Sequence, residues 1–239
     1  MPPVSFEHSL GKVHELILRR LGHKRIRLYE AGGGSASFMP REILAASDVT
    51  VLDIDSTQLA NNQYAAHKIL GDLQSFSFPP DSFDLIVCYN VIEHLDSPDR
   101  AVDLFFRALS PGGLLLIGAP NAASLTGWIT KVTPHWFHVW YYRHVLGYTT
   151  AGLPGYVPFK TIYHPIISPK RLIAYCERLG FKLDYFCEYE GDLLRRLSEK
   201  LPLAGQVLNG TIRVANKFRA DGRDLANGDF HAVFLKPEG

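Results

Sequence analysis

Short apolar runs that alternate with helix-like stretches constrain the fold of this 239-residue chain more than any other feature. Apolar runs without polar alternation are typical of strands buried on both faces of a sheet. Four such runs occupy the first half of the chain, at residues 26–29, 49–54, 83–89 and 114–119. Helical periodicity precedes or separates them at residues 8–22, 38–46 and 99–109. This alternation predicts βαβ units, and hence an α/β fold with a doubly wound, mostly parallel sheet.

The second half of the chain continues the pattern with a helix and two strands. Ser168 at the N-cap position, Pro169 at the first helical position and Gly180 at the end predict a helix. Further strands are predicted at residues 181–188 and 231–236. We expect the last strand to be added at the edge of the sheet.

The organisation of the chain is predicted to be a single domain. With 46% hydrophobic residues, it has enough apolar side chains to bury a core. No strong linker divides residues 1–239, so irregular stretches are interpreted as additions to one domain. These additions are an N-terminal helical segment at 1–24, an insert at 122–167 and a second irregular cap at 191–224.

Charge and cysteine content exclude several classes of protein. The formal net charge is +1, whereas a nucleic-acid-binding domain is usually strongly basic, so we expect no nucleic-acid partner. Cys88, Cys176 and Cys187 lack the spacing of a metal or redox site and are odd in number, which favours packing roles in a reducing, cytoplasmic compartment. No metal site is predicted. The sequence also lacks a signal-peptide pattern and an apolar window long enough to span a membrane.

A glycine-rich segment, Glu30-Ala31-Gly32-Gly33-Gly34, follows the first predicted strand. Open α/β sheets bind ligands beyond the carboxyl ends of their strands, and glycines there let a ligand approach the backbone closely. The dinucleotide fingerprint needs another glycine at the position of Ser37, which disfavours a nicotinamide-dependent oxidoreductase.

The segment resembles the first motif of class I S-adenosylmethionine-dependent methyltransferases, acidic-x-Gly-x-Gly-x-Gly. Glu30, Gly32 and Gly34 match, and Ala36 replaces the last glycine. The resemblance continues in family order through VLDIDS, GDL at 71–73, FDLIVCYNVIEHLDSP at 83–98, LSPGGLLLIGAPN at 109–121 and SPKRLIAYCERLGF at 168–181. It covers roughly residues 25–120 and 165–190. It implies a Rossmann-like fold with a seven-stranded sheet and S-adenosyl-L-methionine as the cofactor.

Several residues are candidates for cofactor binding. A ribose diol needs a carboxylate at the tip of the second strand, and Asp53 lies there, with Asp55 as the alternative. The resemblance assigns Asp72 to the adenine amino group, with Leu73 beside the ring. It implies that Glu30 either binds the aminopropyl end of the cofactor or holds the glycine loop. The predicted cofactor set is completed by Ala31, Gly32, Gly33, Gly34, Ile54, Asn90 and Val91.

The insert differs in composition from the rest of the chain. Residues 104–176 contain no carboxylate side chain, and residues 128–163 contain all three tryptophans. In the resembling fold this connection lies over the methyl-donor end of the cofactor, so we interpret it as a substrate lid. An aromatic, cationic lid suits an anionic, glycosylated or lipid-linked acceptor. The alternatives are a helix at 135–148 that buries its aromatic side chains against the sheet, and a peripheral membrane contact.

Three histidines are candidates for a general base. Because the insert has no carboxylate, a base supplied by it would be a histidine, and His138 and His164 are preferred. His94 is the third candidate, although in the resembling families this position usually shapes the pocket wall. Glu93 and Asp96 beside it are expected to be solvated.

The second irregular cap, 191–224, carries leucines on one helical face and basic residues elsewhere. It is interpreted as an amphipathic packing helix, with a pocket wall, a dimer contact and a surface-binding helix as alternatives. Taken together, the sequence predicts a methyltransferase that acts on a small-molecule or glycan/lipid-linked acceptor, with oxygen as the expected site of methylation. The alternative from another class is a non-catalytic S-adenosylmethionine-binding scaffold.

Overall fold

All described strands belong to one seven-stranded sheet. The structure is a computed structural model that describes residues 4–22, 25–122, 124–153, 156–162, 164–191, 202–217 and 224–238. The strands are β1 (Ile26–Ala31), β2 (Ser47–Asp53), β3 (His67–Leu70), β4 (Phe83–Tyr89), β5 (Leu109–Pro120), β6 (Lys182–Tyr189) and β7 (Asp229–Leu235). Their order in the sheet is β3-β2-β1-β4-β5-β7-β6. The first five strands are parallel to one another, and β7 is antiparallel to both β5 and β6.

Helices cover both faces of the sheet, as the predicted doubly wound fold requires. They are α1 (Phe6–Leu21), α2 (Arg41–Ala45), α3 (Ser56–Asn61), α4 (Pro98–Ala108), α5 (Leu125–Val132), α6 (His135–His144), α7 (Pro169–Leu179) and α8 (Pro202–Lys217). Two 3₁₀ turns lie at Ile92–His94 and Pro165–Ile167. On one face, α1 packs Val13 and Ile17 against the sheet; on the other, α4 and α7 pack Phe105 and Leu172. The α/β, mostly parallel, seven-stranded architecture is therefore confirmed.

The position of the last strand corrects the prediction. We expected it at the edge, but β7 lies between β5 and β6. Residues 230–234 of β7 are all fully buried. Their near-continuous apolar run is typical of an interior strand, because an edge strand leaves one row of backbone groups and part of its side chains exposed to water.

Local sequence patterns predicted the ends of some helices correctly and missed other elements. Pro169 begins α7 and Gly180 ends it with a left-handed φ of 105°, as predicted, although the Ser168 hydroxyl donates to the Pro165 carbonyl instead of capping the helix. The helix expected at 38–46 is only Arg41–Ala45, because Pro40 restricts the residues before it to extended conformations. Strand β3 was not predicted, since three of its four residues are exposed.

The insert forms two short helices, α5 and α6, which leave much of their surface exposed. No residue of α6 is fully buried, although Phe137, Tyr141 and Tyr142 are partly buried, so the structure does not support the alternative in which the aromatic side chains of 135–148 are buried against the sheet. The leucines and basic residues that characterise the second cap lie at 193–201, outside the described residues. Among the described residues, no helix is long and apolar enough to cross a membrane. All three cysteines carry free thiols.

Candidate cofactor and acceptor site

The glycine loop lies where β1 ends and is held from two sides. Gly32 has a φ of 70°, and its amide donates to the Leu52 carbonyl of β2 at 2.8 Å. A Cβ atom at this position would lie 2.6 Å from Val91 Cγ2, so a side chain there would collide with the segment after β4. Gly34, with a φ of 51°, donates its amide to Asp53 Oδ2 at 2.9 Å. Glycine is therefore required at both positions by backbone conformation, and at Gly32 also by space.

Glu30 anchors this loop from below. Its side chain is almost fully buried, and its two carboxylate oxygens accept hydrogen bonds from the Ser37 hydroxyl and the Tyr64 hydroxyl respectively. Burial raises the pKa of the Glu30 carboxyl, and the two hydroxyl donors lower it. Of the two roles left open for Glu30, the geometry favours holding the loop. The partners Ser37 and Tyr64 were missed by sequence reasoning because neither stands at a motif position.

Asp53 and Asp55 differ in what their carboxylates do. Asp53 lies half-buried at the tip of β2, where Oδ2 accepts the Gly34 amide and Oδ1 accepts the Asp55 amide at 2.8 Å. Asp55 is the N-cap of α3, and its Oδ1 accepts the amides of Thr57 and Gln58. The carboxylate of Asp53 thus ties the glycine loop to β2, whereas that of Asp55 begins a helix.

The remaining predicted cofactor residues surround the same edge of the sheet. Ala31 is buried at the end of β1, whereas Ile54 just beyond β2 is 76% exposed. Asp72 accepts the Gln74 backbone amide at 2.8 Å, and Leu73 beside it is buried. Asn90 is exposed and left-handed, with a φ of 53°. Residues from the ends of β1, β2, β3 and β4 therefore lie along one edge of the sheet.

Glu93 does not occupy the solvated position that we expected. It is only 3% exposed, because the 3₁₀ turn after β4 directs its side chain inward. Its Oε2 atom is buried and has no hydrogen-bond partner among the described residues, and its Oε1 atom lies 3.7 Å from His94 Nε2. Burial raises the pKa of the Glu93 carboxyl to about 8, and the nearby charge of Asp229 acts in the same direction. No local sequence signal distinguishes this glutamate from a solvated one.

The three candidate histidines lie in different settings and are not brought together. His94 Nδ1 lies 2.9 Å from the Lys160 carbonyl, which can only accept, so Nδ1 carries the proton and Nε2 the lone pair of the neutral ring. Burial lowers the pKa of His94, which favours that neutral form. His138 Nε2 lies 2.9 Å from the Thr133 hydroxyl, next to the start of α6. His164 Nδ1 accepts the Ile166 amide and lines an open groove along α7.

A buried polar chain backs the site on the α1 side of the sheet. The Tyr89 hydroxyl lies 2.6 Å from His231 Nε2, and Ser9 Oγ lies 2.7 Å from His231 Nδ1. Burial lowers the pKa of His231 to about 4. The Tyr89 ring stacks on Phe38 at 4.1 Å, and together with the glycine loop these rings bound a cavity of about 110 Å³.

Comparisons with known proteins agree with this geometry. Residues 29–117 match the family model described as a methyltransferase domain. A probable S-adenosylmethionine-dependent methyltransferase of Mycolicibacterium smegmatis is 30% identical over 144 residues, which cover 58% of this chain and 55% of that protein. A malonyl-[acyl-carrier protein] O-methyltransferase of Enterobacter lignolyticus is 29% identical over 115 residues, or 46% of each chain. This chain therefore spans about half the length of these relatives.

Solved structures share the fold over nearly the whole chain. An S-adenosylmethionine-dependent methyltransferase from Mesorhizobium loti superimposes with a TM-score of 0.55 and 15% identity, covering 95% of this chain and 96% of that one. At this identity the likeness concerns the fold alone. It extends the correspondence beyond residues 29–117 to the strands that follow.

Proposed function

Because residues 29–117 match a family model described as a methyltransferase domain, we propose that this chain is a class I S-adenosylmethionine-dependent methyltransferase that transfers a methyl group from S-adenosylmethionine to a small-molecule or glycan/lipid-linked acceptor. The observation that carries the proposal is the glycine loop bonded to a strand-tip carboxylate, Gly34 to Asp53. A loop of this kind beyond the carboxyl ends of parallel strands is where α/β sheets bind nucleosides.

The residues present fit this cofactor. A carboxylate has about four lone-pair sites, and Asp53 uses two of them within the chain, which leaves two acceptors for the hydroxyls of a ribose diol. A Cβ atom on Gly32 would lie 2.6 Å from Val91 Cγ2, and one on Gly33 would lie 2.9 Å from Glu30 Cβ, so a side chain at either position would force the loop out of this conformation. The exposed side chain of Ile54 offers an apolar surface for an adenine ring, with Asp72 as the acceptor for its amino group.

A proton acceptor is needed if the acceptor atom is a hydroxyl oxygen, and His94 is the best placed of the three histidines. The chemistry that S-adenosylmethionine supplies when bound is an electrophilic methyl group on a sulfonium sulfur. His94 follows β4, is one quarter exposed and carries its free lone pair on Nε2. We propose that Nε2 would accept the proton of an acceptor hydroxyl while that oxygen receives the methyl group, whose bond to the sulfonium sulfur would break with its electron pair staying on sulfur. Glu93, 3.7 Å away, would stabilise the imidazolium once its own carboxyl ionises.

The insert supports a role as the acceptor wall. Ile162 donates its amide to the Glu93 carbonyl at 2.7 Å, and the Lys160 carbonyl accepts from His94. These bonds attach the end of the insert to the turn that carries the proposed proton acceptor. A wall attached there would hold the acceptor and exclude water from the transferred methyl group.

Calorimetric titration with S-adenosylmethionine and S-adenosylhomocysteine tests the cofactor proposal. Asp53→Ala should weaken binding of both by at least about tenfold, because two charge-assisted hydrogen bonds are lost. Asp55→Ala is the matched control, since it removes a helix cap and should cost about 1 kcal/mol of stability without a comparable loss of affinity. Undiminished binding by Asp53→Ala, or an equal loss in Asp55→Ala, would reject the assignment of Asp53.

Catalysis is tested separately from binding. Transfer of radiolabelled methyl groups should be measured over hydroxyl-bearing small molecules, glycans and lipid-linked acceptors. His94→Gln should lower turnover while leaving the affinity for S-adenosylhomocysteine unchanged, and His138→Gln and His164→Gln should lower it less. Tight cofactor binding with no transfer to any class would favour the non-catalytic scaffold instead.

A further inference from the structure

The two helices of the insert expose tryptophan side chains to solvent. On α6, Trp136 is 68% exposed and Trp140 one turn later is 48% exposed. On α5, Trp128 and Val132 share one helical face and are both more than half exposed. Aromatic side chains bury large apolar areas when they find a partner, so several exposed together indicate an interaction surface. We call the exposed faces of α5 and α6, with residues 156–160, the tryptophan surface.

Cationic side chains accompany these tryptophans. Lys131 lies one turn from Trp128 on α5, Arg143 follows Trp140 on α6, and Lys160 is exposed at the end of the surface. Residues 104–176 contain no aspartate or glutamate. The surface therefore combines exposed apolar rings with positive charge and supplies no carboxylate of its own.

We propose that the tryptophan surface binds an anionic lipid bilayer. Tryptophan favours the boundary between headgroups and acyl chains, where its ring is in an apolar environment and its N–H stays hydrated. Lysine and arginine beside it are attracted to a negatively charged leaflet. A second copy of the chain fits less well, because an isologous contact would bring the same cations together.

The position of the surface links it to the candidate site. The Phe159 ring lies 5.8 Å from the His94 ring, and the next residue, Lys160, accepts the hydrogen bond of His94. Docking would therefore place the edge of the sheet that carries the glycine loop close to the lipid headgroups. The suggestion that the lipid layer also carries the methyl acceptor rests on the proposed function. The binding of the tryptophan surface to the bilayer does not depend on it.

Intrinsic fluorescence reports on this surface selectively, because all three tryptophans of the chain lie on α5 and α6. The full chain should be mixed with vesicles of phosphatidylcholine and with vesicles containing equal amounts of phosphatidylcholine and phosphatidylglycerol. The emission should shift to shorter wavelength, and the protein should sediment, only with the anionic vesicles. Nitroxide-labelled lipids should quench the emission, and high salt should release the protein.

Variants assign the binding to the surface. Trp136→Ala/Trp140→Ala should lower the partition coefficient at least about tenfold, from the apolar area lost. Lys131→Gln/Lys160→Gln should lower it by about fivefold per charge. Leu203→Ala/Val207→Ala is the control, since it removes exposed apolar side chains from α8. The affinity for S-adenosylmethionine should be unchanged in all three double variants. Failure of the lipid-binding proposal can therefore be distinguished from failure of the proposed function.

Several outcomes would overturn the proposal. They are absence of binding and quenching in the parent, equal binding to neutral vesicles, and loss of binding only in the α8 control. A parent dimer that the double tryptophan variant dissociates, without vesicle binding, would assign the surface to self-association instead.

Discussion

Replacing the buried carboxyl of Glu93 by an amide should remove a cost of folding that grows as the pH rises. The carboxyl is 3% exposed, and burial raises its pKa from 4.5 to about 8. Between these values the folded chain holds a proton that the unfolded chain releases. Stability therefore falls with rising pH, by about 1.4 kcal/mol per unit for this one group. The loss of stability begins near pH 4.5, the pKa of this carboxyl in the unfolded chain, and is complete above about pH 8, its pKa in the folded chain.

The size of the effect follows from the two pKa values. Between about pH 5 and pH 9 the wild type should lose about 4 kcal/mol through Glu93, and Glu93→Gln should lose none of it. The amide also places a polar group where Oε2 has no partner among the described residues, a cost of about 1–3 kcal/mol. That cost does not depend on pH. The change in the stability difference is therefore the informative quantity.

Urea unfolding of both proteins at about pH 5, 7 and 9 measures this difference. Contributions from other titrating groups cancel in the comparison. Glu177→Gln is the control, because it neutralises an exposed carboxylate on α7 and should shift stability by less than about 0.5 kcal/mol throughout. If the stability difference between Glu93→Gln and wild type stayed constant from pH 5 to 9, the inference that this carboxyl ionises with difficulty would be refuted.

Two further predictions concern the polar chain behind the site. Gly118→Ala should destabilise the fold by about 2–4 kcal/mol, because a Cβ atom on residue 118 would lie 2.3 Å from Tyr89 Cε2. Tyr89→Leu should reduce this destabilisation in the double variant. Chemical denaturation of the single and double variants measures both effects. His231, whose pKa burial lowers to about 4, binds a proton in the unfolded chain before the folded one. Through this group alone, stability should therefore fall by about 3 kcal/mol as the pH drops from 6.5 to 4, and His231→Gln should remove that contribution in acid titrations followed by circular dichroism.

The parts of the fold that could be predicted are those whose physics is local. Strands β4 and β5 are buried on both faces, so each needs a continuous apolar run that is visible in the sequence. Strand β3 is mostly exposed and has no such run. The position of β7 in the sheet depends on pairing with β5, which is distant in sequence. Its near-continuous apolar run nevertheless indicated an interior position, which the edge assignment overlooked.

The candidate site divides in the same way. Gly34 and Asp53 could be predicted to meet, because parallel strands end at one edge of a sheet, Asp53 is the last residue of β2 and Gly34 lies in the loop that follows β1. The burial of Glu93 could not, since it depends on how a three-residue turn is oriented under the sheet edge. The sequence leaves the exposure of Trp136 open, because the aromatic composition of the insert is compatible with a substrate lid, a packing helix or a membrane contact.

Charge is separated within the chain in a way that the net value of +1 conceals. Glu30, Asp53 and Asp72 lie around the glycine loop, whereas the insert carries only cations. The two regions meet at residues 92–94, where Glu93 and His94 contact the backbone of the insert. With its raised pKa, Glu93 is largely uncharged at neutral pH, so the sign of the charge changes across this turn without an unpaired buried ion. This separation supports the two proposals made above, a cationic methyl donor on one side of the turn and an anionic lipid surface on the other.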